Sequence, residues 1–201
     1  MAKIIKYFLS QQSAIALILA NIIPLIGVLY FDWQLFVLVF LYWLENVVIG
    51  AFSALKLLSA YQAPFPEKIF KAGFFSAHYG FFCFIHGSIL LSLFGNGNYS
   101  SLHLTKIISD NELYIALVAL IISHTFSFLQ NFILNEERKQ LSLSDLMAAP
   151  YKRIIVLHVF IIVGALILTK FGESQFGLLS LALLKITIDL IAHQSEHKNS
   201  Q

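Results

Sequence analysis

Long apolar runs separated by short polar connections dominate this chain. Six of the runs reach the length of about 20 residues that a helix needs to cross a bilayer. They lie near 13–31, 34–57, 70–94, 112–134, 153–171 and 174–192. The pattern predicts an all-α fold: a polytopic membrane helix bundle of six transmembrane helices, forming a single domain over residues 1–201 without an internal repeat. The connections carry turn chemistry. Asp32-Trp33 and Gly172-Glu173 read as tight turns, Pro64 and Pro66 mark the second connection, and Gly95-Asn96-Gly97-Asn98 marks the third. The fourth connection, Asn135 to Pro150, is charged. Within it, Leu141 to Ala149 reads equally as a short helix lying on the membrane surface and as a plain loop.

Charge then orients the bundle. Lys3 and Lys6 precede the first run in the manner of a signal peptide, but the stretch 13–31 is too long for a signal core and no small-residue cleavage site ends it. It is read as an uncleaved first span. With six spans, one side of the membrane holds Lys3, Lys6, Lys56, Lys68, Lys71, Arg138, Lys139, Lys152, Arg153 and Lys198. The other side holds Lys106 and Lys170. Cytoplasmic loops carry the excess of Lys and Arg, so both termini are expected on the cytoplasmic side of the inner (plasma) membrane. Trp33, Tyr61, Tyr99 and Tyr151 fall near the expected interfaces, where aromatic belts sit.

Composition agrees and excludes several classes. The chain is 58% hydrophobic and 12% charged, with 19 Phe and a mean hydropathy of +0.78, far too apolar for a soluble domain of this length. A net charge of +2 gives no basis for nucleic-acid binding. Membrane lipids are the expected surroundings, and a homo-oligomer is compatible with the pattern. Cys83 is the only cysteine, so one chain holds no disulfide and no cysteine-based zinc motif.

Polar and ionisable residues inside the runs are the candidate functional positions. A charged side chain at the centre of a spanning helix costs about 2.5–3.5 kcal/mol on insertion scales, so such residues normally face the bundle interior and a partner. Glu45 stands near the middle of the second span, His78 and His124 near the middle of the third and fourth, His158 in the fifth and Asp189 near the end of the sixth. At 1.5 Å of rise per residue, Glu45, His78 and His124 fall in one layer, with His158 and Asp189 just below and His86 towards the other side. Asn46 follows Glu45. His124, Ser127 and Asn131 recur as a polar stripe, and Lys185, Asp189, His193 and His197 recur every four residues.

Several motifs taken together resemble an uncharacterised bacterial integral-membrane family, one classed as a domain of unknown function. They are Tyr42-Trp43-Leu44-Glu45-Asn46, His78-Tyr79-Gly80 with His86-Gly87, Ser123-His124 with Ser127-Phe128, Pro150-Tyr151-Lys152-Arg153-Ile154 with Leu157-His158, and Lys185 with Asp189-Leu190 and His193. The resemblance spans about residues 20–197. It implies a multi-helix membrane fold and carries no activity.

Imidazoles and a carboxylate at similar depth suit a transition ion, zinc above all. The expected metal set is His78, His124 and His158 with Asp189 or Glu45, and Glu45 is the candidate catalytic residue. Asn46, His86, Asn131, Lys185 and His193 are further polar candidates. An open metal position with activated water would make a metal-dependent membrane hydrolase. Other readings stay open: a proton or ion relay through the same groups, haem b held between His78 and His124, or a scaffold whose polar groups lock helices together. Whether the protein is an enzyme stays open with them. His193-Gln194-Ser195-Glu196-His197 spells an inverted zinc-protease motif but reads better as a solvated tail. The chain has no Gly-x-Ser-x-Gly elbow and no phosphate-loop lysine pattern.

Overall fold

The computed structural model describes residues 26–31, 33–94, 101–110 and 113–171, with single positions at 180, 183, 184 and 187. The described chain is helical: α1 (Leu35–Ser59), α2 (Phe65–Phe94), α3 (Ser101–Asp110), α4 (Leu113–Ser127) running into a π-helix (Phe128–Leu134), a single 3₁₀ turn (Glu137–Lys139), and α5 (Leu143–Phe171). Among the described residues, four helices are long and apolar enough to cross a membrane: Leu35–Ser59, Phe65–Leu93, Leu113–Leu134 and Leu143–Ile167. These are four of the six expected spans. The other two, near 13–31 and 174–192, lie outside the described residues apart from 26–31 and the four single positions, as do the Gly95–Asn98 and Gly172-Glu173 turns.

One expectation is corrected. Leu141 to Ala149 is neither a surface helix nor a loop, because α5 begins at Leu143 and runs unbroken for 29 residues through Pro150. Ser142 caps it. Its hydroxyl accepts the Asp145 backbone N–H at 3.2 Å, and the Asp145 carboxylate accepts the Ser142 backbone N–H at 3.3 Å. This reciprocal box satisfies two orphan donors of the first turn. Leu143 and Leu146 are buried in the core rather than laid on a surface. The segment that reads as the third connection holds the ten-residue helix α3.

The chain divides into two compact units, residues 39–162 and residues 1–38 with 163–201. In the second of these, Trp33 folds back over Gly27. The amides of Phe31 and Trp33 both donate to the Gly27 carbonyl at 3.1 Å, and a Cβ on Gly27 would lie 2.2 Å from the indole. Only glycine allows that approach.

The unit 39–162 holds the candidate site, with α1 as its central helix. Against α2 it runs antiparallel: Trp43 meets Gly87 and the Cys83 carbonyl, while Asn46 and Gly50 meet Tyr79. Against α5 it is also antiparallel, with Tyr42 on Phe160 and Glu45 on Arg153. Against α4 and its π-helical extension it is parallel, with Phe52 on His124 and Lys56 over Phe132. A Cβ on Gly50 would lie 2.6 Å from the Tyr79 ring, and one on Gly87 would lie 2.9 Å from Trp43. These two glycines let aromatic side chains lie flat on helix backbone, as small residues do in membrane bundles. The connections at one end are joined, since the Tyr61 amide donates to the Arg138 carbonyl at 3.2 Å and Gln62 donates to the Lys139 carbonyl. Phe70, Phe74, Phe81 and Phe84 of α2 and Ile122 of α4 remain exposed, the apolar surface a lipid solvent would cover.

Candidate functional site

All four long helices contribute polar side chains to the interior of this unit. The starting point is Glu45, mid-way along α1. Its carboxylate Oε1 lies 3.5 Å from Nη1 of Arg153, three turns into α5. The Glu45 side chain is 14% exposed and that of Arg153 40%. Asn46, next along α1, donates from Nδ2 to the Tyr42 carbonyl one turn back at 2.9 Å. Its own carbonyl accepts the Tyr79 hydroxyl at 3.2 Å. The charges of Glu45 and Arg153 act on both Tyr79 and His124, and Lys56 acts on His124 as well. The ion pair therefore belongs electrostatically to a group drawn from α1, α2, α4 and α5.

His78 and Tyr151 form a second contact. The His78 Nδ1 and the Tyr151 hydroxyl are 2.6 Å apart, a short hydrogen bond. His78 stacks on Phe74 with ring centroids 5.5 Å apart and meets Phe82 edge-on. Tyr151 is the hub of this end, ringed by Phe75, His78, Tyr79 and Phe82.

A third contact lies about two helical turns farther along. The residue steps from His78 to His86 on α2 and from Tyr151 to His158 on α5 are nearly equal, and at ~1.5 Å per residue each covers about 10–12 Å. Parallel helices in that register bring the second pair together just as they do the first. His86 Nε2 is 3.1 Å from His158 Nδ1, and His86 Nδ1 is 2.7 Å from the Phe82 carbonyl. His86 is buried and His158 is exposed. A carbonyl only accepts, so His86 Nδ1 carries the hydrogen, and a neutral His86 presents a lone pair at Nε2. In the absence of another ligand His158 then donates from Nδ1.

The structure redistributes the expected metal set. His78 goes to Tyr151, His158 to His86, and His124 stacks on Phe52 with centroids 5.7 Å apart. Among the described residues no three of His, Cys, Asp and Glu stand together as a metal centre. Glu45 meets Arg153, a partner the sequence reading places only among the interfacial cations. His78 and His124, the expected haem pair, are engaged with Tyr151 and Phe52 respectively. Asp189, Lys185 and His193 lie outside the described residues. Asn131 is in the π-helix, where the Asn135 amide reaches back five residues to the Gln130 carbonyl at 2.9 Å, and its Nδ2 lies 3.4 Å from the Ser127 hydroxyl. The stripe of His124, Ser127 and Asn131 assumes 3.6 residues per turn, and the helix widens inside it.

Arg153 and Tyr151 are the residues that sequence reasoning missed. Placing the fifth span at 153–171 leaves both at its mouth. The signal was Ser142-x-x-Asp145 ahead of an apolar run, a capping-box spelling that starts the helix ten residues before Arg153.

No curated protein and no solved structure matches the chain. Residues 6–201 match the model of a protein family described as a family of unknown function, DUF6498. The match covers nearly the whole chain, so the protein belongs to that family of unknown function.

Proposed function

We propose that the protein is a polytopic inner-membrane protein whose polar core relays protons between the helices of the bundle. The observation that supports this most directly is the Glu45–Arg153 ion pair, seated between two helices of membrane-spanning length. A lone charge at such depth is costly, whereas a charge with a counter-ion and nearby titratable groups is the usual composition of proton pathways. Arg153 supplies the counter-charge that lets a carboxylate stand among apolar helices. Glu45 and His124 are the exchanging groups at the centre. The hydrogen-bonded pair of His78, on the exposed side of α2, and Tyr151 adds two further exchangeable groups.

Orientation belongs to the same reading. The α1–α2 and π-helix–α5 connections are tied together at one end, and Lys56, Lys68, Lys71, Arg138, Lys139 and Lys152 cluster in sequence around them. We place that end in the cytoplasm.

The test is proton flux in liposomes reconstituted with the purified protein, read by an internal pH-sensitive dye under a potassium diffusion potential. Flux above protein-free liposomes that disappears in Glu45→Gln is the expected result. A monodisperse wild-type protein that carries no flux at any imposed potential overturns the reading and leaves the polar core as a lock between helices.

A further inference from the structure

We infer that His86 and His158 form a two-nitrogen half-site for a divalent transition-metal ion, zinc in the first place. This site is separate from the Glu45 group and does not rest on the proton reading. Three observations on the two side chains carry it.

First, the donor atoms converge. His86 Nε2 and His158 Nδ1 lie 3.1 Å apart with the rings nearly perpendicular, at 86°. Two imidazole nitrogens each about 2.0–2.1 Å from one tetrahedral zinc are separated by ~3.3 Å, so a few tenths of an ångström and a turn of the rings off the hydrogen-bond line admit the ion. Second, the inner ring is already oriented as a ligand. His86 Nδ1–H donates to the Phe82 carbonyl at 2.7 Å. Such a bond to the second nitrogen fixes the tautomer and aims the lone pair in metal sites generally. Third, burial is one-sided. His86 is 5% exposed while His158 is exposed, so the inner nitrogen is held by its surroundings and the outer ring has room to turn towards a shared ion. His158 turns from donor to ligand when its Nδ1 hydrogen moves to Nε2, a tautomer change that leaves the ring neutral. Remaining coordination positions fall to water or to a further ligand. Neutral nitrogen donors select zinc or copper over magnesium and calcium.

The reading alters the expected metal set in a specific way. His158 keeps its role, His86 enters it, and His78 and His124 leave it.

The experiment is titration of the detergent-purified full-length protein with Co²⁺ and with Zn²⁺, following the visible ligand-field bands of bound Co²⁺ and their displacement by Zn²⁺. One bound ion per chain is expected. His86→Gln and His158→Gln each weaken binding by at least tenfold, and His78→Gln leaves it unchanged. Glutamine keeps a polar side chain, and size-exclusion profiles verify that each variant is folded. A folded wild-type protein that binds neither ion overturns the inference. So does binding that survives in both folded variants. If one variant does not fold, the other decides alone. Proton flux in liposomes is unaffected by either result, so failure here and failure of the relay are told apart.

Discussion

Glu45 on α1 and Arg153 on α5 meet with Oε1 and Nη1 3.5 Å apart, joining two helices that run in opposite directions. The contact lies one residue from Asn46, whose carbonyl accepts the Tyr79 hydroxyl of α2. One turn of α1 therefore holds both α2 and α5 by polar bonds. Removing one charge leaves the other in an apolar setting. The penalty for breaking a fully buried pair is about 3–5 kcal/mol, and the partial exposure of Arg153 reduces it to roughly 1–3 kcal/mol. Arg153→Met is expected to lower stability by that amount. The double change Glu45→Gln with Arg153→Met is expected to cost less than the two single changes added together. Thermal unfolding of the four proteins in one detergent completes the cycle, and additive losses would show that the pair is not coupled.

Glycines at different places on α2 and α1 predict opposite outcomes. Gly50→Ala puts a Cβ 2.6 Å from the Tyr79 ring, an overpacking worth about 1–3 kcal/mol. Gly80→Ala meets nothing within 4 Å and gains the helix propensity of alanine, up to ~1 kcal/mol. Melting temperatures that fall for the first and hold or rise for the second confirm the packing of α1 on α2. The reverse order refutes it.

Trp43 is held by a bond from Nε1 to the Cys83 carbonyl at 2.8 Å and lies over Gly87. Trp43→Phe deletes that bond, which is worth about 0.5–1.5 kcal/mol. Gly87→Ala displaces the ring instead. Both are expected to lower stability, and Gly87→Ala is expected to cost less in the Trp43→Phe background, where the smaller ring leaves room for the methyl group. Equal costs in the two backgrounds would show that Trp43 and Gly87 do not touch.

The start of α5 depends on Ser142. Ser142→Ala removes the acceptor for the Asp145 amide, a cap worth about 0.5–2 kcal/mol, whereas Ser142→Gly loses a few tenths. Hydrogen exchange is expected to quicken over residues 143–150 in the alanine variant and to stay near the wild-type rate at Ile154 and beyond. Unchanged protection of the first two turns would mean that burial of Leu143 and Leu146 holds them without the cap.

Glu136 predicts a small pH effect of definite sign. It takes a left-handed conformation, φ 61°, and its side chain accepts a hydrogen bond from Lys139. That bond, reinforced by the ammonium charge, holds its carboxyl below the usual carboxylate range. A lowered value in the folded state means that this contact contributes fully above the ordinary carboxylate pKa. The contribution is lost as pH falls through the lowered value. Unfolding midpoints followed from neutral into acid should decline less steeply in Glu136→Gln than in the wild type. An identical decline would assign the acid sensitivity elsewhere.

The all-helical character and four long apolar helices were legible in the sequence, as was the presence of Glu45, Asn46, His78, His86, His124 and His158 inside apolar runs. Hydropathy over about 20 residues is a local property, and a polar group within such a run is visible wherever it falls. Depth along a helix is legible too, because rise per residue is constant. Partners were not. Which face meets which neighbour depends on crossing geometry, on Gly50 and Gly87 opening room for Tyr79 and Trp43, and on the parallel register of α2 with α5. That register pairs His78 with Tyr151 and His86 with His158, where depth alone had placed Glu45, His78 and His124 in one layer and His158 just below. A capping box moved the start of α5 outward, taking Arg153 from the membrane surface to the side of Glu45. Sequence determines how much polar chemistry lies inside the apolar spans, since that is counted along one chain. Only the tertiary structure decides which polar atoms share a hydrogen bond or a charge, since distances between helices of ångström size are set by packing.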